Sequence, residues 1–329
     1  TLFRSRVIPL VIIKEYKTYY AFMQAMEKDK YKNNLNEQEK LTLEYLSKTI
    51  LTGVRPDELA ILSKLLYRDH IRVADFIKEY QKTYGIKIST SQVSEAIQVL
   101  QGHFVSKEAE YQKFRQIDIL ENDQSGMIRR LQSYAERLAH IQFYTQVEDI
   151  IKVGIARYKD KYFPGRIVDS PFVLYEKYSR RDVSLLMNCG KDLSSIMYGM
   201  KRIEDDVFIF ITYHKEESQD EKNYVDGKPD YADAFEDDLI FKWDSQIGKG
   251  LDSSYMKDVL EAERKHLLVK KSDAETSFYY MGQFTVVEAR NTRKEDNRGR
   301  MQPITKVTMK MQHPVREDLL RYLQSNITA

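Results

Sequence analysis

Val207-Phe208-Ile209-Phe210-Ile211-Thr212-Tyr213 is the stretch whose reading decides the fold. It carries no charge, is rich in β-branched and aromatic residues, and is short for a helix, so it predicts a strand buried on both faces. Leu239 to Trp243, His266 to Lys270, Phe278 to Met281 and Phe284 to Ala289 repeat that signature between turns. Thr305 to Met311 alternates, with Val307, Met309 and Met311 on one side and Lys306, Thr308 and Lys310 on the other. Helices are expected at Arg180 to Met187 (Ser179 as cap), Tyr255 to Lys265 and Val315 to Ser325. Many strands with few short helices predict an α+β domain built on a curved antiparallel sheet or small barrel.

Upstream of Pro164-Gly165 the hydrophobic period is helical. Helices are predicted over Lys14 to Tyr31, Glu37 to Leu51, a segment opening at Arg55-Pro56-Asp57-Glu58, Arg72 to Tyr84 before Gly85, and Gln92 to Leu100. Ser89 and Gln92 have the spacing of a capping box. Residues 123–160 supply one or two longer helices, with Leu131, Tyr134 and Leu138 on one face. Tyr84 to Lys107 reads in two ways, as a winged helix-turn-helix ending in a strand-like Phe104-Val105 or as an ordinary bundle pair. The second is favoured because Gln92 to Gln101 holds no Lys or Arg for phosphates. The expected division is a helical domain over 1–165 and a β-rich domain over 166–329.

The chain has 329 residues, and 42% hydrophobic content with 13 Gly and 7 Pro excludes collagenous, low-complexity and broadly disordered classes. Lys+Arg 52 against Asp+Glu 50 gives a net charge of +2, so anion binding must come from local clustering. Residues 1–171 hold 27 Lys+Arg and 22 Asp+Glu, leaving 25 and 28 for the remainder. Glu216 to Asp238 contains 10 acids and reads as a solvated loop. A single cysteine, Cys189, forbids an internal disulfide and fits a reducing cytoplasm. Val7 to Ile13 is broken by Pro9, is too short to span a bilayer and lacks a signal-peptide cleavage pattern. Thr1 stands where a start methionine would, so a piece of a longer protein is expected.

Catalytic patterns are missing. There is no Gly-x-x-x-x-Gly-Lys-Ser/Thr loop, no Gly-x-Ser-x-Gly elbow and no zinc spacing among one Cys and six His. Glu15-Tyr16-Lys17 and Glu263-Arg264-Lys265 resemble half a nuclease signature but lie in helical stretches. No catalytic centre, metal site or cofactor is expected in this chain. The count of 23 Tyr stands out, because tyrosine suits both half-buried packing and stacking on bases.

A series of blocks then carries a resemblance. Tyr178-Ser179-Arg180-Arg181-Asp182-Val183, Tyr198-Gly199 and Phe208 to Lys215 come in order. Tyr231-Ala232-Asp233-Ala234-Phe235, Phe241 to Gln246, Leu267 to Asp273 and Phe278 to Gly282 follow. Over about 172–290 the chain resembles the C-terminal region of SauUSI-like ATP-dependent, modification-dependent (type IV) restriction endonucleases. The resemblance implies a phospholipase-D-like nuclease, a superfamily 2 helicase motor, a helical coupler and a terminal methylcytosine reader. It implies an SRA/PUA-like β-barrel for that reader, with base flipping, and a chain holding the coupler and reader alone. ATP and Mg would belong to the missing motor, and the partners would be methylated double-stranded DNA and the helicase and nuclease domains of the same polypeptide. A cytoplasmic protein with no membrane partner is expected.

An extruded base must be stacked and its edge read. Candidates for the pocket are Tyr213, Tyr231, Phe241, Trp243, Tyr279 and Tyr280, with Asp233 or Asp244 accepting from a cytosine amino group. Ser245 and Gln246 are candidates for the remaining polar edge or for filling the gap left in the duplex. Phosphate contacts are expected from Lys215, Lys270, Lys271 and a loop carrying Arg290, Arg293, Lys294, Arg298 and Arg300. Edge protection is the other reading of Lys270-Lys271. A PUA-like reader of modified RNA and a ligand-free structural coupler are the competing functions.

Overall fold

The computed structural model describes residues 25–26, 34–123, 125–163, 165, 170–214, 224–225, 228–229, 233–296 and 298–325. Lys215, Tyr231, nearly all of the predicted Lys14 to Tyr31 helix and most of the acidic run lie outside them. The chain is α+β and divides into two compact units, residues 1–166 with 184–193, and 167–183 with 194–329. Among the described residues no helix is long and apolar enough to cross a membrane.

The first unit opens with α1 (Glu37–Thr49), where Asn36 and Glu39 cap each other reciprocally. After α2 (Asp57–Leu65) come β1 (His70–Arg72), α3 (Val73–Tyr84), α4 (Thr90–Leu100) and α5 (Glu108–Phe114). The strands β2 (Leu120–Asn122) and β3 (Met127–Arg130) then precede α6 (Gln132–Leu138) and α7 (Ile141–Arg157). Gly85 ends α3 at φ 66°, a left-handed cap that glycine adopts without strain, and the Ser89–Gln92 capping box opens α4.

Two expectations are corrected here. Residues 123–160 do not begin as helix: Asp123 accepts the Ser125 and Met127 N–H groups at 2.9 and 3.0 Å and turns the chain into a β2–β3 hairpin. Local side-chain bonds of this kind compete directly with helix formation. Phe104-Val105 is buried but irregular, with the Phe104 N–H donating to the Tyr45 hydroxyl at 3.2 Å. The three short strands form an antiparallel sheet in the order β1-β3-β2. The succession α2-β1-α3-α4-α5-β2-β3 with that strand order is similar to a winged helix-turn-helix carrying one extra helix, α5, ahead of the wing, with α4 in the recognition position and β2–β3 as the wing. The bundle-pair reading does not describe it.

The second unit contains β4 (Lys177–Tyr178), α8 (Arg180–Leu186, of which 180–183 belong here), β5 (Met200–Ile203), β6 (Asp206–His214), β7 (Tyr224–Val225) and β8 (Lys228–Pro229). These are followed by β9 (Ala234–Phe235), β10 (Ile240–Asp244), α9 (Ser254–Glu261), β11 (Arg264–Ser272), β12 (Phe278–Glu295), β13 (Met301–Met311) and α10 (Glu317–Gln324). The main sheet runs β5-β6-β11-β12-β13-β10-β9, with β4 also paired to β12. Val207 to Ile211 is buried throughout, as an uncharged central strand must be. Ile209, Trp243, Val269 and Met309 share one core cluster with Met256 of α9 and Leu323 of α10.

The sheet differs in two details from a purely antiparallel barrel. β6 and β11 run parallel, with Leu267 opposite Ile209, because the long connection between them carries β9, β10 and α9. The strand order is also open, ending at β5 and β9. β12 is one 18-residue strand where two were expected, and it pairs with β13 out to Glu295 opposite Met301.

Candidate nucleic-acid interface

The end of β10 gathers several of the expected pocket residues. Asp233 is buried, and its carboxylate accepts the backbone N–H of Asp244 at 2.9 Å. Trp243 lies one residue earlier but is buried in the core at 4% exposure, with its ring centroid 6.4 Å from that of Tyr255 and the planes 31° apart. The Tyr255 hydroxyl is buried without a hydrogen-bond partner among the described residues. Burial, and after it the Asp233 charge, pushes that phenol well above its ordinary range. Gly199 stands beside it at φ 73°, where a Cβ would come 2.6 Å from Gln246 Nε2 and 3.3 Å from the Tyr255 hydroxyl. The Gln246 amide donates to the Tyr198 carbonyl at 3.4 Å, and Tyr198 is 65% exposed beneath the Arg180 guanidinium at 5.2 Å.

Ser245 serves the frame. Its hydroxyl donates to the Lys249 carbonyl at 2.7 Å and accepts the Thr305 N–H at 2.8 Å, pinning the 245–250 loop to β13. Gln246 and Ile247 project from that loop, both exposed.

Other expected pocket residues are placed elsewhere. Phe241 is fully buried against Phe235, with ring centroids 4.7 Å apart, and its faces belong to the core. Tyr280 is likewise fully buried and is no stacking wall: it packs on Phe172 at 4.9 Å and shares a 2.9 Å hydrogen bond with His266. Tyr279 is half-buried, with the Lys177 ammonium 4.3 Å from its ring centroid and Tyr322 edge-on. Tyr213 is half-buried beside His214, and Tyr231 lies outside the described residues.

The expected phosphate ligands divide in the same manner. Lys270 donates to the Glu275 carbonyl at 3.0 Å and pairs with Asp273, so it is spent internally. Lys271 donates to Ser325 at 2.7 Å and lies over the Tyr322 ring. β11 is a central strand, which removes the edge-protection reading as well. Arg290, Arg293 and Lys294 stand on β12 rather than in a loop, and only 296–300 turn the hairpin. Asp296 organises that turn: it binds Arg300 and accepts the Arg298 and Arg300 N–H groups, which holds its carboxyl far below the usual range.

Strand pairing adds two cations, Lys242 and Lys306, that were not assigned a role from sequence, beside Arg290, which was. Arg290 lies opposite Lys306, and Lys306 lies opposite Asp244, with Lys242 two residues away. Together with Thr308 and Glu288 they line a cleft of about 180 Å³ on the sheet. The alternation of Lys306, Thr308 and Lys310 was the readable signal for this face. Tyr255 was hidden within a helix, and nothing local marks it.

Among the described residues no group of three or more His, Cys, Asp or Glu could hold a metal ion. Two family profiles match. One, described as a domain of unknown function (DUF3427), covers residues 172–323, and another (DUF8090) covers 4–161. No curated protein matches.

Among solved structures, Arabidopsis thaliana SUVH6 in complex with SAM is similar at 10% identity and TM-score 0.31, over 56% of this chain and 34% of that one. KRYPTONITE with mCHG DNA and SAH gives 12% and 0.26, over 56% and 41%. The sulfur binding domain and SRA domain of ScoMcrA with phosphorothioated DNA gives 9% and 0.27, over 88% and 96%. The chain thus spans less than half of the first two, and at these scores the likeness carries no argument about fold or ligand.

Proposed function

We propose that the second unit is a DNA-binding module that reads 5-methylcytosine, or 5-hydroxymethylcytosine, from a flipped base, and that it serves a helicase-nuclease of the modification-dependent restriction type. The resemblance of 172–290 supports the class. The observation that carries the site is the grouping of Asp233, Trp243 and Tyr255, with a buried phenol hydroxyl that has no partner among the described residues. A buried hydroxyl left unpaired costs about 1–3 kcal/mol, which a ligand's polar edge would recover.

In this reading Asp233 accepts from the cytosine amino group, its orientation set by the Asp244 N–H it already holds. Tyr255, half-buried and packed on the core that holds Trp243, would offer the face against which the base stacks. Gln246 and Ile247, exposed on a pinned loop, are suited to enter the space that the base leaves. Arg290 would meet the phosphate backbone, joined by Lys242 and Lys306 on exchanging their pairs with Glu236 and Asp244 for phosphate.

The test is binding of this chain to matched duplexes with and without one 5-methylcytosine. Burying one methyl group is worth about 0.8 kcal/mol, roughly fourfold in affinity. A preference of that order, lost in Asp233→Asn, supports the reading. Equal affinity for both duplexes and for structured RNA rejects it, and no binding at low salt would leave the module a structural coupler.

A further inference from the structure

We infer that the first unit carries a second DNA-docking surface, on α4 and its flanks, which binds duplex DNA without regard to base modification. The arrangement alone does not carry this, since folds host many functions. The character of the exposed face of α4 does.

Thr90, Ser91, Ser94 and Gln98 are exposed and lie three or four residues apart along one side of the helix. None is charged and none is apolar. A helix face kept merely for solvation looks different: on neighbouring α3 the exposed positions include Asp75, Lys78 and Glu79. A protein-docking face would present aromatic, Met or Arg anchors, and this one presents none. Ser and Thr are also poor helix formers, so three of them on one exposed face lower the stability of α4 without any packing in return. Short hydroxyls and an amide are the side chains that approach a major-groove floor closely and bond either base edge.

The cations that the recognition helix lacks are supplied beside it. Lys82 near the end of α3 and Lys87 in the α3–α4 turn are exposed, and neither has an ion pair among the described residues. Both precede α4 in the chain, Lys87 three residues before its first residue, and the opening of such a helix is where phosphates lie when it enters the groove. Glu95, the only acid of α4, is half-buried with one oxygen 3.5 Å from where a Gly190 side chain would begin, so its charge is turned aside from the exposed face. At the wing, Asp123 holds the Ser125 and Met127 amides and the Arg129 guanidinium, and Gly126 takes φ 75°.

The experiment measures binding of the whole chain to a labelled unmodified duplex by fluorescence anisotropy across a salt series. The Lys82→Ala/Lys87→Ala double variant is expected to bind about tenfold more weakly at low salt, with the slope of log K against log salt reduced by about two. Ser94→Glu, which adds a charge to the exposed face, is expected to weaken binding at least as much, with helix content by circular dichroism unchanged. Affinity and slope equal to the parent in both variants would overturn the inference. These variants leave the ratio of methylated to unmethylated binding untouched. Loss of that ratio alone therefore speaks against the reader in the second unit and not against this surface.

Discussion

The Asp233 carboxylate accepts the Asp244 amide at 2.9 Å, so the acid closest to the proposed pocket is also the cap of a strand end. Its two roles separate by substitution. Asp233→Asn keeps an oxygen for the amide but removes the charge and adds a donor facing the cytosine amino group. Binding of modified duplex should fall by about tenfold or more, in line with 1–3 kcal/mol for a base-edge contact. The thermal midpoint should move little, whereas Asp233→Ala should lower both. Unchanged binding in the Asn variant would remove Asp233 from recognition.

Tyr255→Phe makes a sharper distinction. The hydroxyl is buried with no partner among the described residues, so its loss should leave stability unchanged or raise it by up to about 1–3 kcal/mol. Affinity for modified DNA should fall in the same variant. A drop in stability with normal binding would mean that the hydroxyl works for the fold.

Arg293 and Lys294 stand on the long β12–β13 ribbon, with Arg290 and Lys306 nearer the sheet. Replacing Arg293 and Lys294 by Ala should weaken binding alike for every sequence and flatten the salt dependence. A loss confined to methylated DNA would contradict a phosphate role.

His266 lies between Asp206 at 2.7 Å and the Tyr280 hydroxyl at 2.9 Å, with its ring stacked 4.5 Å from Phe208. Burial holds the imidazole below its usual pKa despite the neighbouring carboxylate. Burial alone would raise Asp206, but the bonds from His266 and Arg264 outweigh it and lower that carboxyl to about 2. The unfolded chain therefore takes up protons first: at the histidine below about pH 6.5, and at the aspartate below about 4. Stability should decline as pH falls through both windows. In His266→Gln the decline near pH 6 should disappear from denaturant midpoints, and its persistence would assign it to another group.

In the first unit Arg55 is buried, donating from Nε to both Glu58 oxygens at 3.1 Å and from Nη1 to the Leu185 carbonyl at 2.6 Å. Glu58→Ala leaves that guanidinium without its carboxylate and should cost about 3–5 kcal/mol by chemical denaturation. A cost below about 1 kcal/mol would show that Asp57 compensates.

Hydrophobic period and local caps determined the elements. Val207 to Tyr213 could be little but a central strand, and Ser89 with Gln92 could be little but a helix start, because both signals act within a few residues. Where a side-chain bond redirected the backbone, as Asp123 does at the wing, period alone misled. Only the tertiary structure decided that β6 pairs parallel with β11, that Tyr280 and Lys270 are spent internally while Lys242 and Lys306 join Arg290 along one cleft, and that Tyr255 stands beside Asp233. Each of these depends on which distant strands become neighbours, and a contact across scores of residues leaves no periodic trace along the chain.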